Sequence, residues 1–396
     1  MNTSHPEFQN LKVVLAHDWL TGMRGGERVL EYLCRMFPQA PIYTLFYNPG
    51  AISDTIRSHP VKTSWLQNIP GITKYYRNFL PLFPSAMEKM RPEKADLVIS
   101  TSHCVAKGLN TPKGARHLCY CFTPMRYAWV FYDEYFGGNP VKKTIMEKIL
   151  RRLREWDAAN SRKIDCFVTL SKHVRKRIND FYGRESEVVY PPVNLDFWKP
   201  EQNSPVGPLL AEAVRSDLEK TARCKQRPYQ EQENYDLLVS ALVPYKRIDL
   251  AVQAYTKLGY PLKIVGTGTE TAKLRKMAGK NISFLGRLSD EELLVIYRHC
   301  RALIFPGEED FGLVPLEAQA CGKPVVAFGR GGLIETVING QTGVFFEEQT
   351  EESLLGAVAQ CSSKKWDPAI IRKNAGKFSE ENFIDGIKAC IEKCLK

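Results

Sequence analysis

No stretch of this chain approaches the ~20 consecutive apolar residues that a bilayer-crossing helix needs. The first ten residues, Met1 to Asn10, are polar. The apolar run that follows, Leu11 to Ala16, is too short for the core of a secretory signal and lacks its flanks. A cytoplasmic location is the expectation. Low-complexity tracts and short repeats are also lacking, which excludes solenoids and disordered arrays. The eleven cysteines are an odd number and show no repeating metal-ligand spacing. Cys119 and Cys121, two apart, suit one face of a strand, and the set reads as free buried thiols in a reducing compartment.

What is present is ordinary in bulk and uneven in detail. A length of 396 residues, with 44% hydrophobic and 25% charged residues, describes a soluble protein with room for two cores. The formal charge of +11 is concentrated: from Lys142 to Arg177 twelve Lys and Arg face four Asp and Glu. Such a patch attracts nucleic acid, acidic lipid head groups or phosphorylated substrates, and charge alone does not choose among them. In the same region Val141, Ile145, Met146, Ile149, Leu150, Leu153 and Trp156 form an apolar stripe at helical spacing, interleaved with Lys142, Lys143, Lys148, Arg151, Arg152 and Arg154. Trp65 to Arg91 adds aromatic and basic residues. Two readings stand: a helix packed on a sheet with a solvated basic face, or a surface resting on an anionic membrane.

The apolar runs are short and alternate with helical stretches. Leu11 to Ala16 reads as a buried strand, followed by the loop Thr21-Gly-Met-Arg-Gly-Gly26 and a helix over Glu27 to Met36. Further strands are expected at 41–45, 97–100, 117–121, 166–170 and 188–190. The prolines of Tyr190-Pro-Pro-Val-Asn194 break this alternation. Residues 200–233 are polar and charged, with one helical piece near Leu209 to Leu218. A second alternation has strands at 237–240, 262–265, 282–285, 302–305, 324–328 and 343–345. Its helices fit 247–258, 270–277, 290–298, 314–320, 333–337, 352–360 and 380–395. Strands alternating with helices imply two consecutive α/β halves, each with a mostly parallel sheet. Two such Rossmann-like domains facing each other would bind a ligand in the cleft at the C-terminal ends of their strands.

The most informative segment is Phe305-Pro-Gly-Glu-Glu-Asp-Phe-Gly-Leu-Val-Pro-Leu-Glu-Ala-Gln-Ala-Cys-Gly-Lys-Pro324. A strand runs into a glycine loop and then a helix beginning near Val314 or Pro315, where proline suits the first turn. The N–H groups of Phe311, Gly312, Leu313 and Val314 would point at an anion, aided by the helix dipole. Glu309 precedes the loop, and Glu317 lies about one turn into the helix. One carboxylate can sit at a reacting sugar while the other accepts both hydroxyls of a ribose. After the strand near Ser240, Lys246 and Arg247 stand where a lysine would neutralise a departing diphosphate.

The spacing Glu309-x7-Glu317, with Phe311-Gly312 and Pro315 inside and Ala320-x-Gly322-x-Pro324 after it, resembles the signature of retaining glycosyltransferases of family 4. The resemblance implies the GT-B fold, with residues 1–192 an acceptor domain and 236–378 a nucleotide-sugar domain. Residues 193–235 would connect them, and a helix over 379–396 would pack back on the first domain. It assigns Glu309 to the donor sugar and Glu317 to the ribose. The family usually has Arg five residues before Lys246; here Ala241 stands there, and Arg247 is the expected substitute. Gly266-Thr-Gly-Thr-Glu270 resembles the family's Gly-x-Gly-x-Glu turn, and 281–287, ending at Arg287, the segment bordering the nucleobase. Gly329-Arg-Gly-Gly332 before Glu335 resembles a turn near the donor. In the first half, Gly25 and Gly26 match the glycine loop, and His103 the histidine near the transferred sugar.

Cys119-Tyr-Cys-Phe-Thr-Pro-Met-Arg-Tyr-Ala-Trp129 resembles a segment of bacterial mannosyltransferases of O-antigen and exopolysaccharide assembly, with Phe122 in place of a histidine. It puts Met125, Arg126 and Tyr127 on the acceptor side. Ser171-Lys-His-Val-Arg175 and Tyr190-Pro-Pro-Val193 match that subgroup too. The implied reaction is same-face transfer of a hexose, mannose by subgroup, with the leaving phosphate taking the acceptor proton. GDP-mannose is the implied donor, with a UDP sugar as alternative. No cofactor is expected. No Asp-x-Asp motif follows a strand in the first half, so no metal is expected either. Partners would be a glycan or polyprenyl-diphosphate-linked acceptor and, for a peripheral protein, the inner face of an anionic membrane; no nucleic acid motif is present. The alternatives are an epimerase-type or phosphorylase activity on the same fold, and a nucleotide-sugar binding protein without transfer. Pyridoxal absorbance, donor conversion without acceptor, and binding without turnover would mark these three.

Overall fold

The computed structural model describes residues 8, 10–129, 140–201 and 234–396, with the side chains of Tyr127 and residues 140–146 outside that description. The helical piece expected near Leu209 to Leu218 lies outside the described residues. Apolar runs separated by helices or long loops have no hairpin to reverse them, and every strand pair is parallel. The contacts divide the chain into two units, Met1–Pro191 with Glu381–Lys396, and Pro192–Glu380.

The first unit holds β1 (Val13–His17), β2 (Ile42–Thr44), β3 (Val61–Thr63), β4 (Leu97–Ser102), β5 (Arg116–Cys121), β6 (Cys166–Thr169) and β7 (Glu187–Val188). Their spatial order is β3-β2-β1-β4-β5-β6-β7. β1 and β4, at the centre, are buried along their whole length; most of β1 and the first half of β4 are apolar runs, while β4 ends in Ser100-Thr101-Ser102. The edge strand β3 has three residues, none of them buried, and leaves no such run in the sequence. The second unit holds β8 (Asp236–Val239), β9 (Leu262–Val265), β10 (Ile282–Gly286), β11 (Leu303–Phe305), β12 (Val325–Phe328) and β13 (Gly343–Phe346), in the order β10-β9-β8-β11-β12-β13. Both orders reverse direction beside the first strand of the unit, between β1 and β4 and between β8 and β11. At such a switch point neighbouring loops diverge and leave a crevice beyond the strand ends.

The first core gathers Trp19, Phe46, Tyr76 and Phe83, with Trp19 stacked on Phe46 at 6.1 Å. The helix Pro140–Ser161 closes this core with Leu150 and Leu153, and Ile149 and Trp156 pack against it. That half of the stripe is therefore core and is not free to meet a membrane; the side chains of Val141, Ile145 and Met146 lie outside the description. The helix Glu380–Leu395 buries Phe383, Ile387, Cys390, Ile391 and Cys394, a continuous helical face. Phe383 sits 5.8 Å from Tyr32 and 6.0 Å from Tyr120. The helix Pro368–Ala375, capped by Asp367, is an element the sequence reading did not anticipate.

Candidate functional site

In the second unit the loop after β8 and the loop after β11 meet. Pro244–Lys246 forms one turn of 3-10 helix, and Lys246 Nζ is paired with Glu309 Oε2. The two side chains are 11% and 20% exposed, so the pair is shielded yet reachable. Glu309 is fixed by its backbone. It bridges to Gly331, and its carbonyl accepts from Gly332 N–H at 2.7 Å. The glycine turn after β12 therefore clamps the loop carrying the carboxylate.

Gly312 caps the helix Leu313–Ala320 with φ of 106°, a left-handed conformation that an L side chain would strain. The helix starts one residue earlier than the sequence suggests, and Pro315 occupies its first turn, where no N–H is missed. Gly312 is buried and Leu313 and Val314 are half-buried, while Phe311 is buried against Phe378 at 5.6 Å. Glu317 lies on the same helix. Its Oε2 accepts from Tyr297 Oη at 3.1 Å. Burial first, and the Glu317 charge second, push the Tyr297 hydroxyl well above its ordinary value and keep it a donor.

Gly266 N–H donates to Gly286 O at 2.6 Å, joining the turn after β9 to the end of β10, where Arg287 is exposed. Arg247 does not extend toward Glu309. It adopts φ of 52° and donates to Asp249 Oδ1 and Gln349 Oε1, both at 3.2 Å. Gln349 in turn donates to Pro306 O at 2.9 Å. Arg247 thus ties the loop after β8 to the loop after β11 from the side.

In the first unit the same topological position holds a buried carboxylate that the sequence reading passed over. Asp18, next after β1, accepts from four consecutive backbone N–H groups after β4. His103 and Cys104 donate to Oδ2 at 2.7 and 3.0 Å, and Val105 and Ala106 to Oδ1 at 2.6 Å each. His103 Nδ1 lies 2.9 Å from Oδ2, and its ring stands edge-on to Trp19 at 4.6 Å. Burial alone would raise the Asp18 carboxyl. The neighbouring His103 charge and these hydrogen bonds outweigh burial and hold it well below the usual carboxylate range. His103 keeps a third of its side chain exposed, with its other ring nitrogen not engaged by Asp18.

Gly25 and Gly26 open the helix Gly25–Met36, and Gly26 lies so close to the rings of Phe122 and His17 that a Cβ there would stand 3.2 Å from Phe122. Glu27 closes the loop by accepting from Arg24 N–H at 3.1 Å, and burial pushes its carboxyl up. Met125, expected on the acceptor side, is instead a core residue: it is fully buried with Trp19 and Phe46 and cannot present its side chain to a ligand. Arg126 begins the short helix Arg126–Trp129 and is half-buried; the Tyr127 side chain lies outside the described residues. That helix is anchored by Trp129 Nε1 donating to Asp157 at 2.8 Å, beside the buried Lys107–Asp157 ion pair at 2.5 Å.

His17 and His117 are buried histidines flanking this region. His17 Nδ1 meets Thr101 Oγ1 at 2.7 Å, and His117 Nε2 meets Ser100 Oγ at 2.9 Å. Burial lowers each to about 4 from an ordinary 6.5, against opposing carboxylates at Asp18 and Asp165. The unfolded chain takes up these protons near pH 6.5 and the native one only near 4. Stability is therefore complete above the upper value and falls between the two, by about 3 kcal/mol per ring. Urea midpoints are expected to drop as pH goes from 7 to 4.5, and His117→Gln to flatten the slope. A midpoint constant over that window would refute the neutral assignment.

The family model described as Glycosyltransferase Family 4 matches residues 23–197, and that described as Glycosyl transferases group 1 matches residues 220–378. An uncharacterized glycosyltransferase of Methanocaldococcus jannaschii is 32% identical over 173 residues, 40% of this chain and 48% of that one. A GDP-mannose-dependent alpha-(1-6)-phosphatidylinositol monomannoside mannosyltransferase of Mycobacterium tuberculosis is 28% identical over 233 residues, 54% of this chain and 56% of its own. The chain spans about half the length of these curated relatives. The crystal structure of Anabaena HepE with UDP and glucose matches with a TM-score of 0.67 at 18% identity, covering 96% of this chain and 99% of that one. At that identity the likeness is one of fold: the architecture is α/β of the GT-B class, with two Rossmann-like units.

Proposed function

We propose that this chain is a glycosyltransferase acting on a nucleotide diphosphate sugar. The observation that carries this reading is the Lys246–Glu309 pair at the switch point of the second sheet, beside the N-terminus of the helix bearing Glu317. Breaking a glycosyl–phosphate bond leaves negative charge on the diphosphate. Lys246 and the amide dipoles of Gly312, Leu313 and Val314 supply the compensating positive charge without a metal. Glu317, held by Tyr297, receives the ribose hydroxyls. Glu309 lies against the donor sugar, and releasing Lys246 to the phosphate frees its carboxylate for that contact. Gly266, Arg287 and Arg247 line or brace the nucleotide side. By the same reading, Gly25, Gly26 and His103 are the first unit's candidates for the transferred sugar, and Arg126 and Tyr127 its candidates for the acceptor.

Transfer proceeds with retention, the departing phosphate accepting the acceptor's proton. Mannose from GDP-mannose is the proposed donor group, supported by the resemblance of Cys119–Trp129 to bacterial mannosyltransferases and by the donor named for the mycobacterial relative. The acceptor is a glycan, free or carried on a polyprenyl diphosphate. A panel of nucleotide sugars read by released nucleotide tests both levels. GDP-mannose is expected to be consumed fastest. Faster release of UDP from a UDP sugar would displace mannose, and no release from any donor would remove the glycosyltransferase reading.

A further inference from the structure

At the β3-β2 edge of its sheet the first unit carries a pocket of about 430 Å³. Tyr43 on β2 and Lys62 on β3 form one wall, and Trp65 follows β3. Lys89, Arg91 and Glu93, which leave the helix Phe83–Glu88, form the other. Both walls are braced from behind. Ser64 Oγ donates to Leu45 O at 2.7 Å and accepts from Leu66 N–H at 3.2 Å, which sets the turn carrying Trp65. Glu88, the last residue of the helix, accepts from Trp156 Nε1 at 2.8 Å, which sets the exit carrying Lys89 and Arg91. Three cations face one carboxylate, and among the described residues none of the three is held in an ion pair. The Trp65 indole is 40% exposed.

We propose that this pocket is a second binding site, for an anionic saccharide: a sugar chain bearing carboxylate or phosphate groups. An indole face covers the apolar face of a sugar ring, and the surrounding Lys62, Lys89 and Arg91 hold its charge, Arg91 in a bidentate fork. A concave site of this volume belongs to the small-ligand class, whereas a membrane presses on protruding surface. The choice of a saccharide rests on the glycosyltransferase reading; the choice of an anion rests on the pocket alone. A growing chain held here stays associated while its end reacts, so the site would retain a polymeric acceptor between transfers.

Calorimetry on the full chain with trigalacturonate, and with maltotriose as the neutral counterpart, tests this. The anionic trisaccharide is expected to bind at least about tenfold tighter. Trp65→Ala and Arg91→Ala are each expected to weaken it about fivefold or more, leaving donor hydrolysis unchanged. Equal affinity for the two sugars, or unaltered binding by both variants, overturns the proposal. So does capture by phosphatidylglycerol vesicles that requires Trp65 and that trigalacturonate does not compete away. Absence of donor hydrolysis in the unmodified chain would instead remove the glycosyltransferase reading and leave the binding result standing.

Discussion

Lys246→Ala is expected to lower nucleotide release from the preferred donor by roughly 10²–10³-fold, the loss seen when one preorganised stabiliser of a developing anion is removed. The argument is electrostatic. Lys246 is tucked against the faces of Tyr245 and Phe305, with its Nζ 5.3 and 5.7 Å from their ring centroids, and only a tenth of it meets solvent. In that setting its charge is weakly screened, and a diphosphate replacing Glu309 as its partner gains more than it would from an exposed lysine. Glu309→Ala is expected to be as damaging by a different route, because it removes the carboxylate proposed at the sugar while leaving the cation in place. Each single variant removes the ion-pair partner of the other charge in a shielded loop, whereas Lys246→Ala/Glu309→Gln removes both charges together. The double variant should therefore melt nearer the unmodified chain than Lys246→Ala does, with activity no better than either single variant. Near-normal turnover in Lys246→Ala or Glu309→Ala would take these residues out of the reaction.

Why the sequence singles out Glu309 and Lys246 and passes over Asp18 follows from where their signals lie. Glu309, Phe311, Gly312, Pro315 and Glu317 are contiguous, so loop chemistry and helix-start rules act within one window of sequence. Most strands were legible for a similar reason, since inner parallel strands are mostly apolar, and β9, interrupted only by Lys263, matches its expected bounds at 262–265. Asp18 and His103 are 85 residues apart and meet only because β1 and β4 pair in register, His17 beside Thr101. No periodicity announces a carboxylate that will be surrounded by four amides from another loop. Met125 failed in the opposite direction. The resemblance of its segment put it on the acceptor side, but a methionine beside a proline turn carries no mark of which way it will pack, and the core took it. Arg247 stands between these cases: its place after β8 was readable, but its left-handed backbone and its tie to Gln349, 102 residues on, were not.

Asp18→Ala is expected to be the most destabilising single substitution in the first unit. It removes the acceptor of four backbone N–H groups and of His103 Nδ1 at once, at a carboxylate that is itself fully buried. Breaking a buried, hydrogen-bonded charge costs about 3–5 kcal/mol, because the partners are left unsatisfied. For a unit of this size that corresponds to a melting point lower by roughly 10 °C. Asp18→Asn keeps one oxygen but turns an NH₂ toward amides that also donate, so it should recover only part of the loss. The pH dependence separates this carboxylate from the histidines beside it. A carboxyl held below its unfolded value contributes in full above that value and is lost only as pH falls through the depressed one. Between pH 7 and 4.5 the Asp18 contribution is therefore nearly level, and the downward slope there comes from His17 and His117, opposed by the buried Glu27 carboxyl, whose raised value contributes with the opposite sign. Donor hydrolysis should fall in Asp18→Asn more than its melting point explains, since a loosened loop after β4 no longer holds His103 in place. An Asp18→Ala variant that melts within a degree or two of the unmodified chain would show that the amides after β4 find other partners.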